Sequence, residues 1–137
     1  TGAALFRLLC HCSICRAFNA ADYADIVVYA ARDVQLPAAG VVAFTTWRPP
    51  PNVQRGKCAR CQQPALELFR APALPHLAMV PVAMHGATAP LPRACAHLFY
   101  ESRVRDVDDT LPRHRGYVAS QLAFMRYLLA SRWRRRA

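Results

Sequence analysis

Five of the six cysteines in this chain fall into two short knots, Cys10-His11-Cys12-Ser13-Ile14-Cys15 and Cys58-Ala59-Arg60-Cys61. Thiols two or three residues apart close loops too small to gain much chain entropy as disulfides, but their spacing suits chelation of one ion. In an extended C-x-C segment both side chains project to the same face, and a turn after Cys12 returns Cys15 to the same point. Any fold open to this chain must therefore converge at residues 10 to 15. Structural zinc takes four protein ligands, whereas catalytic zinc keeps three and an open position, so Cys10, Cys12 and Cys15 have the count of an open zinc site. Cys58 and Cys61 are metal ligands by the same spacing. The alternative is one closed site in which Cys58 or Cys61 supplies the fourth sulfur to the first knot. Chelating thiolates imply a reducing compartment, so the expected location is cytoplasmic.

At 137 residues and 15.3 kDa the chain fits one domain, small enough for metal crosslinks to help its core. Hydrophobic residues make up 54%, yet no apolar run approaches the roughly eighteen residues a membrane span requires, and no membrane partner is expected. The sequence begins at Thr1 without a charged leader, which predicts that processing or truncation has removed a segment. Net charge is +10, with Arg126, Arg132, Arg134, Arg135 and Arg136 crowded at the end. Such a tail suits nucleic acid or another acidic polymer, but equally a solvated helix end whose cations complement the dipole. The second reading is favoured, since no aromatic-interleaved basic patch accompanies the tail.

Residues 5–9 form an apolar run that predicts a strand leading into the first knot, with Cys10 and Cys12 at its end. Residues 26–29 and 41–47 are β-branched and aromatic, bounded by Pro37, Gly40 and Pro49 to Pro51, and predict two more. Residues 53–57 and 65–69 flank the second knot, making it a knuckle between strands. Prolines 72, 75, 81, 90 and 92 break the next stretch, leaving residues 79–82 as a short edge strand. Residues 96–100 predict a further strand and residues 106–112 a loop. Val118, Leu122, Met125, Leu129 and Trp133 recur at helical spacing, which predicts an amphipathic C-terminal helix over 117–133 packed through that stripe. The class is mainly β.

The remaining chemistry-bearing residues read as structural. His11 lies between two ligands and points to the opposite face, so it packs rather than ligates. His97 sits in an apolar strand as a satisfied core histidine, and His76, His85 and His114 fall in loops, with no catalytic pair among them. Cys95 reads as a small buried hydrophobe. Asp106, Asp108 and Asp109 read as a solvated turn, lacking the glycine and distal glutamate of a hard-cation loop. Ser13 is placed to donate to a metal-bound sulfur.

The order Cys-His-Cys-Ser-Ile-Cys-Arg, then Arg55-Gly56-Lys57-Cys58-Ala59-Arg60-Cys61, then Ala96-His97-Leu98-Phe99 and Leu111-Pro112-Arg113-His114-Arg115-Gly116-Tyr117, resembles the glutathione-dependent formaldehyde-activating enzyme family, which includes centromere protein V-like proteins. The resemblance covers roughly residues 5 to 117. It implies a β-tent of antiparallel sheets stapled by zinc, here residues 1–117, followed by a helix and basic tail over 118–137. It implies that Cys10, Cys12 and Cys15 hold a catalytic-type zinc, while Cys58 and Cys61 pair with an N-terminal Cys-x-Cys to close a structural zinc. No such N-terminal pair stands in this sequence, so that second site has half its ligands, and Gln62 stands where the family usually carries glycine. The implied function is that of a carbon–sulfur lyase or synthase on an S-hydroxymethyl-glutathione-type adduct, with Arg16 receiving a glutathione carboxylate. The alternative is a non-catalytic, zinc-stabilised binding module that uses the basic tail on nucleic acid or another acidic partner.

Overall fold

The computed structural model describes residues 2–47 and 53–134, Arg134 by its backbone alone. The proline run Pro49 to Pro51 and the tail arginines Arg135 and Arg136 lie outside the described residues. Strands β1 (Phe6–Cys10), β2 (Ala24–Ala30), β3 (Val42–Thr46), β4 (Val53–Cys58), β5 (Pro64–Phe69), β6 (Leu77–Pro81) and β7 (Ala94–Leu98) are joined by helix α1 (Ser13–Asn19) and followed by α2 (Tyr117–Arg134). Single 3-10 turns occur at Ala31–Asp33, Val82–Met84 and Tyr100–Ser102. The mainly β class read from the sequence is the class the chain adopts. All seven strands join one sheet in the order β3-β4-β5-β6-β2-β1-β7. Every ladder is antiparallel except β1 with β7, which is parallel. No described helix is long and apolar enough to cross a membrane.

Both faces of the sheet centre are covered, and β2 shows how. Ile26 and Val28 point into a core shared with Phe6, Leu8, Cys10, Cys15, Leu98, Ala123 and Leu128. Val27 and Tyr29 point the other way, to Ala65, Leu66, Leu68, Ala78 and Val80. Alternate residues thus serve different cores, as a period of two demands. The sulfur-bearing residues Cys10 and Cys15 belong to the first core, together with α2.

Two expectations are corrected here. The stretch predicted as an edge strand is β6, which runs between β5 and β2 in the interior of the sheet. Proline is tolerated there because Pro81 is the strand's last residue, opposite Ile26, where a missing N–H only ends the ladder.

The second correction concerns α2. The stripe predicted to pack, Val118, Leu122, Met125, Leu129 and Trp133, faces outward, with exposures from 41% to 77%. The docked face carries Ser120, Ala123, Phe124, Tyr127, Leu128 and Ser131 instead. Ser120 Oγ accepts the Phe99 N–H at 2.9 Å, Tyr127 donates its hydroxyl to the Cys95 carbonyl at 3.3 Å, and Phe124 meets Phe6 edge-on at 5.3 Å. Small residues allow close approach and the hydroxyls satisfy backbone groups near the start of β7 and just beyond its end, which hydrophobicity alone does not register. The helix starts after Gly116 at φ +79°, whose N–H donates to Glu101 Oε2 at 2.8 Å. Leu128→Ala is expected to destabilise the domain by about 2–4 kcal/mol and Leu122→Ala by less than about 0.5 kcal/mol, as read by urea denaturation. A larger cost for Leu122→Ala than for Leu128→Ala would mean that the helix docks the other way round.

Candidate metal centre

Strand β1 delivers Cys10 at its last residue, and the chain then stays extended to Cys12, whose φ of −60° and ψ of 151° make it the N-cap of α1. The sequence placed both cysteines at the end of a strand; in the structure the strand ends at Cys10. The turn expected after Cys12 is the first turn of α1, with Cys15 on its inner face. Cys12 Sγ accepts the Cys15 N–H at 3.4 Å, the role a serine or aspartate usually takes at a helix start. The helix stops at Ala20, in the left-handed region at φ 48°. Phe18 anchors its far side, 1% exposed, edge-on to Trp47 at 5.8 Å and beneath the Lys57 ammonium at 5.6 Å.

The outcome is a cluster in which the Sγ atoms of Cys10, Cys12 and Cys15 all lie within 4.8 Å of one another. Three sulfurs about 2.3 Å from a tetrahedral ion would sit about 3.8 Å apart, so the donor set fits a thiophilic metal. Cys10 and Cys15 are buried and Cys12 is half-buried, so access to the cluster is through Cys12. Neither Cys58 nor Cys61 joins this cluster. In the thiol state one negative charge is shared unequally: hydrogen bonds from Cys10 and Cys15, then the Cys15 N–H, hold the Cys12 thiol far below its ordinary range. Those same bonds and burial push Cys10 and Cys15 up.

Strands β4 and β5 bring a buried ion pair to the same region. Arg55 Nε lies 2.9 Å from Glu67 Oε2, with side chains 10% and 2% exposed, although the N–H is off-line for a good hydrogen bond. Glu67 Oε1 has no hydrogen-bond partner among the described residues. Burial pushes Glu67 up to about 7, Arg55 opposes that shift, and the charge on Cys12 adds to it. Arg55 in turn helps hold Cys12 ionised.

A second polar group went unrecognised in the sequence. His11 and His97, 1% and 0% exposed, are bonded Nε2 to Nδ1 at 2.9 Å, and His97 Nε2 meets the Asp109 carboxylate at 2.9 Å. His97 is the satisfied core histidine read from the sequence, whereas the reading of Asp109 as part of a solvated turn is corrected: Asp109 and the two histidines form one chain. A carboxylate only accepts, so His97 carries its proton on Nε2, and His11 donates from its own Nε2. His11 Nδ1 is left as a buried acceptor without a hydrogen-bond partner among the described residues. Burial, then the neighbouring His97 and Arg103, depress His11 to about 4, so the ring is neutral near pH 7. Tyr100, 1% exposed, stacks edge-on to both imidazoles at 5.1 and 5.2 Å, with the Arg103, Arg113 and Arg115 guanidiniums 4.7, 5.2 and 5.9 Å from its ring centre. Its hydroxyl donates to Asp106 at 3.1 Å and accepts the Val107 N–H at 3.0 Å, which wraps the acidic loop around it.

Arg16, the expected substrate contact, is half-buried, and its Nε donates to the His11 carbonyl at 3.1 Å. It lines a shallow depression of about 440 Å³ with Ser13, Ala17, Ala20, Ala21, Asp22 and Val104. Ser13, expected to support a sulfur, is exposed at that rim. The second knot is the expected knuckle between β4 and β5. The Cys61 and Arg60 amides hold the Cys58 thiol below its ordinary range, while Cys61 is exposed. Gln62 adopts φ 59° there, the conformation glycine takes without strain. Cys95 packs half-buried against the first core, as read from the sequence. His85 is bonded to the Tyr29 hydroxyl at 2.8 Å.

Asp109→Ala would leave the fully buried His97 Nε2 unsatisfied, and is expected to cost about 1–3 kcal/mol in chemical denaturation. Burial works against ionisation of Asp109, but bonds from His97 and the Leu111 N–H, with the nearby Arg113 charge, outweigh it and hold the carboxyl below 3.8. A depressed folded-state value means stability present above 3.8 and lost as pH falls through the folded value. The acid limb of the stability profile should therefore be shallower in Asp109→Ala than in the parent; an unchanged limb would remove the carboxylate from the chain.

No curated protein matches the sequence, whereas the family model described as glutathione-dependent formaldehyde-activating enzyme matches residues 1–102. That span holds both cysteine knots, the sheet and His97, and on this match the chain belongs to the glutathione-dependent formaldehyde-activating enzyme family.

Proposed function

We propose that the chain is a zinc-dependent carbon–sulfur lyase or synthase acting on the adduct of formaldehyde with a small thiol of the glutathione type. The observation that carries this reading is the three-sulfur cluster, with two thiols buried and one half-open, in a chain of this family. Three soft thiolate donors gathered this closely favour zinc. Cys10, Cys12 and Cys15 would hold the ion, which when bound supplies a Lewis-acidic position that lowers the pKa of an incoming thiol. In the net reaction a carbon–sulfur bond forms between the thiol and the formaldehyde carbon, and the thiol proton ends on the aldehyde oxygen. The reverse reaction cleaves that bond.

The residues of the chain position and exclude. Cys10 and Cys15 lie in the hydrophobic core, which keeps water from their side of the cluster. Arg16 borders the depression that begins at Ser13, next to Cys12. With its Nε committed to the His11 carbonyl, its terminal nitrogens are the proposed receptor for a glutathione carboxylate. Cys58 and Cys61 are proposed as two ligands of a second, structural zinc, whose Cys-x-Cys counterpart no residue of this sequence supplies. The proposed location is cytoplasmic, where glutathione is abundant and thiols stay reduced.

Elemental analysis of protein purified without added metal, paired with alkylation and peptide mapping, is expected to show zinc with Cys10, Cys12 and Cys15 protected and Cys61 reactive. Cys12→Ser is expected to lose that zinc and to slow exchange between glutathione and 13C-formaldehyde, followed by NMR, to the uncatalysed rate. Zinc content and exchange both unchanged in Cys12→Ser would sink the proposal. Arg16→Ala is expected to raise KM for glutathione by about tenfold with little change in kcat, the cost of one charge-assisted contact. A purely structural role for Arg16 would instead lower thermal stability and leave KM alone.

A further inference from the structure

Helix α2 has two apolar faces, and among the described residues only one is covered. At 100° per residue, Val118, Leu122, Met125, Leu129 and Trp133 fall within an arc of about 80°, roughly opposite the docked Ser120, Ala123, Tyr127 and Leu128. All five are exposed, Trp133 at 77% and Val118 at 69%. A helix apolar on opposite sides is ordinarily covered on both. From Val118 to Leu129 the spacing is four, three and four residues, the period of a coiled-coil seam. So narrow a seam is what one helix presents to another; a protein core or a lipid surface takes up a broader face.

The flanks carry the second observation. Arg126 is exposed beside the seam and Arg132 at its C-terminal end, with no ion pair to either among the described residues. The helix contains no Asp or Glu at all. Against a second copy, these cations would meet a helix with no carboxylate to receive them, on a chain that already carries a net charge of +10. Flanking positions choose coiled-coil partners by charge, so this seam selects an acidic one.

We propose that the outer stripe of α2 docks an amphipathic helix of an acidic partner protein. Val118, Leu122, Met125 and Leu129 take up its apolar seam, and Arg126 and Arg132 pair with its flanking carboxylates. The surface lies outside the sulfur cluster, and the inference stands whether or not the chain is catalytic.

The test uses the whole chain and fluorescein-labelled peptides of about three heptads, read by anisotropy. The first has leucine at the seam and glutamate at the flanks, the second has lysine at the flanks, and the third keeps glutamate but has serine at the seam. The first peptide is expected to bind saturably and about tenfold or more tighter than either of the others. Leu122→Glu is expected to abolish that binding with an unchanged melting temperature. Arg126→Glu combined with Arg132→Glu, which leaves the apolar residues intact, is expected to reverse the preference between the glutamate and lysine peptides. Equal binding of the glutamate peptides with leucine or serine seams would reduce the effect to net charge and overturn the proposal. So would a dimer in sedimentation equilibrium that Leu122→Glu dissolves, or binding to phosphatidylserine vesicles, lost in Leu122→Glu, with no peptide binding.

Discussion

Three sulfurs must meet where β1 ends, and much of the architecture follows from that convergence. β1 is held on both edges, antiparallel to β2 and parallel to β7, so Cys10 arrives at a fixed point. Cys12 then acts twice, as a cluster member and as the cap that starts α1, and the first helical turn returns Cys15. Gathering three thiols in a partly buried place is unfavourable if all ionise. The hydrogen bonds among them resolve this by leaving the charge on Cys12, beside the Arg55 guanidinium. A divalent ion resolves it further, since it neutralises thiolates that the fold already holds together, and its binding energy then becomes folding energy.

The polar chain behind β1 is the complementary constraint. His11 shares the extended segment with Cys10 and Cys12 but points to the other side, where His97 from β7 and Asp109 from the following loop complete a line of hydrogen bonds. The parallel β1–β7 ladder is what brings His11 and His97 together. Each imidazole is buried, so each proton has a defined place, and among the described residues nothing bonds the bare Nδ1 of His11. Tyr100 closes the group with its ring against both imidazoles and its hydroxyl in the acidic loop. The sulfur cluster is thus backed by hydrophobic core on one side and by a pinned polar group on the other, and the loop between residues 106 and 112 is structural despite its acidic composition.

Helix α2 illustrates a different balance. Its inner face docks through small residues, two hydroxyl bonds and an aromatic pair, and its outer face carries the larger aliphatic side chains. Burying the outer stripe against the sheet would have gained more apolar area, but would have left the Phe99 N–H and the Cys95 carbonyl to find other partners. Each backbone group left unmet in a buried place costs about 1–3 kcal/mol, so the two hydroxyl bonds add to the aromatic and aliphatic contacts of the inner face in fixing the orientation.

Whatever depends on residues near one another in the chain was legible in the sequence. The i, i+2 and i+5 spacing of the first knot marked Cys10, Cys12 and Cys15, and the β-branched and aromatic runs marked β2 and β3, because chelation and strand formation are set by local geometry. The C-terminal helix was legible too, but not its orientation, since two stripes of helical period coexist in it and hydrophobicity singles out only one. The interior place of β6 escaped because Pro81 marks an edge only when it falls inside a ladder, and here the ladder ends on it. The line from His11 through His97 to Asp109 joins residues 86 and 12 positions apart. No local pattern encodes such a contact; it exists because a parallel strand pairing, decided by the packing of the whole sheet, sets two imidazoles side by side where neither has water to turn to.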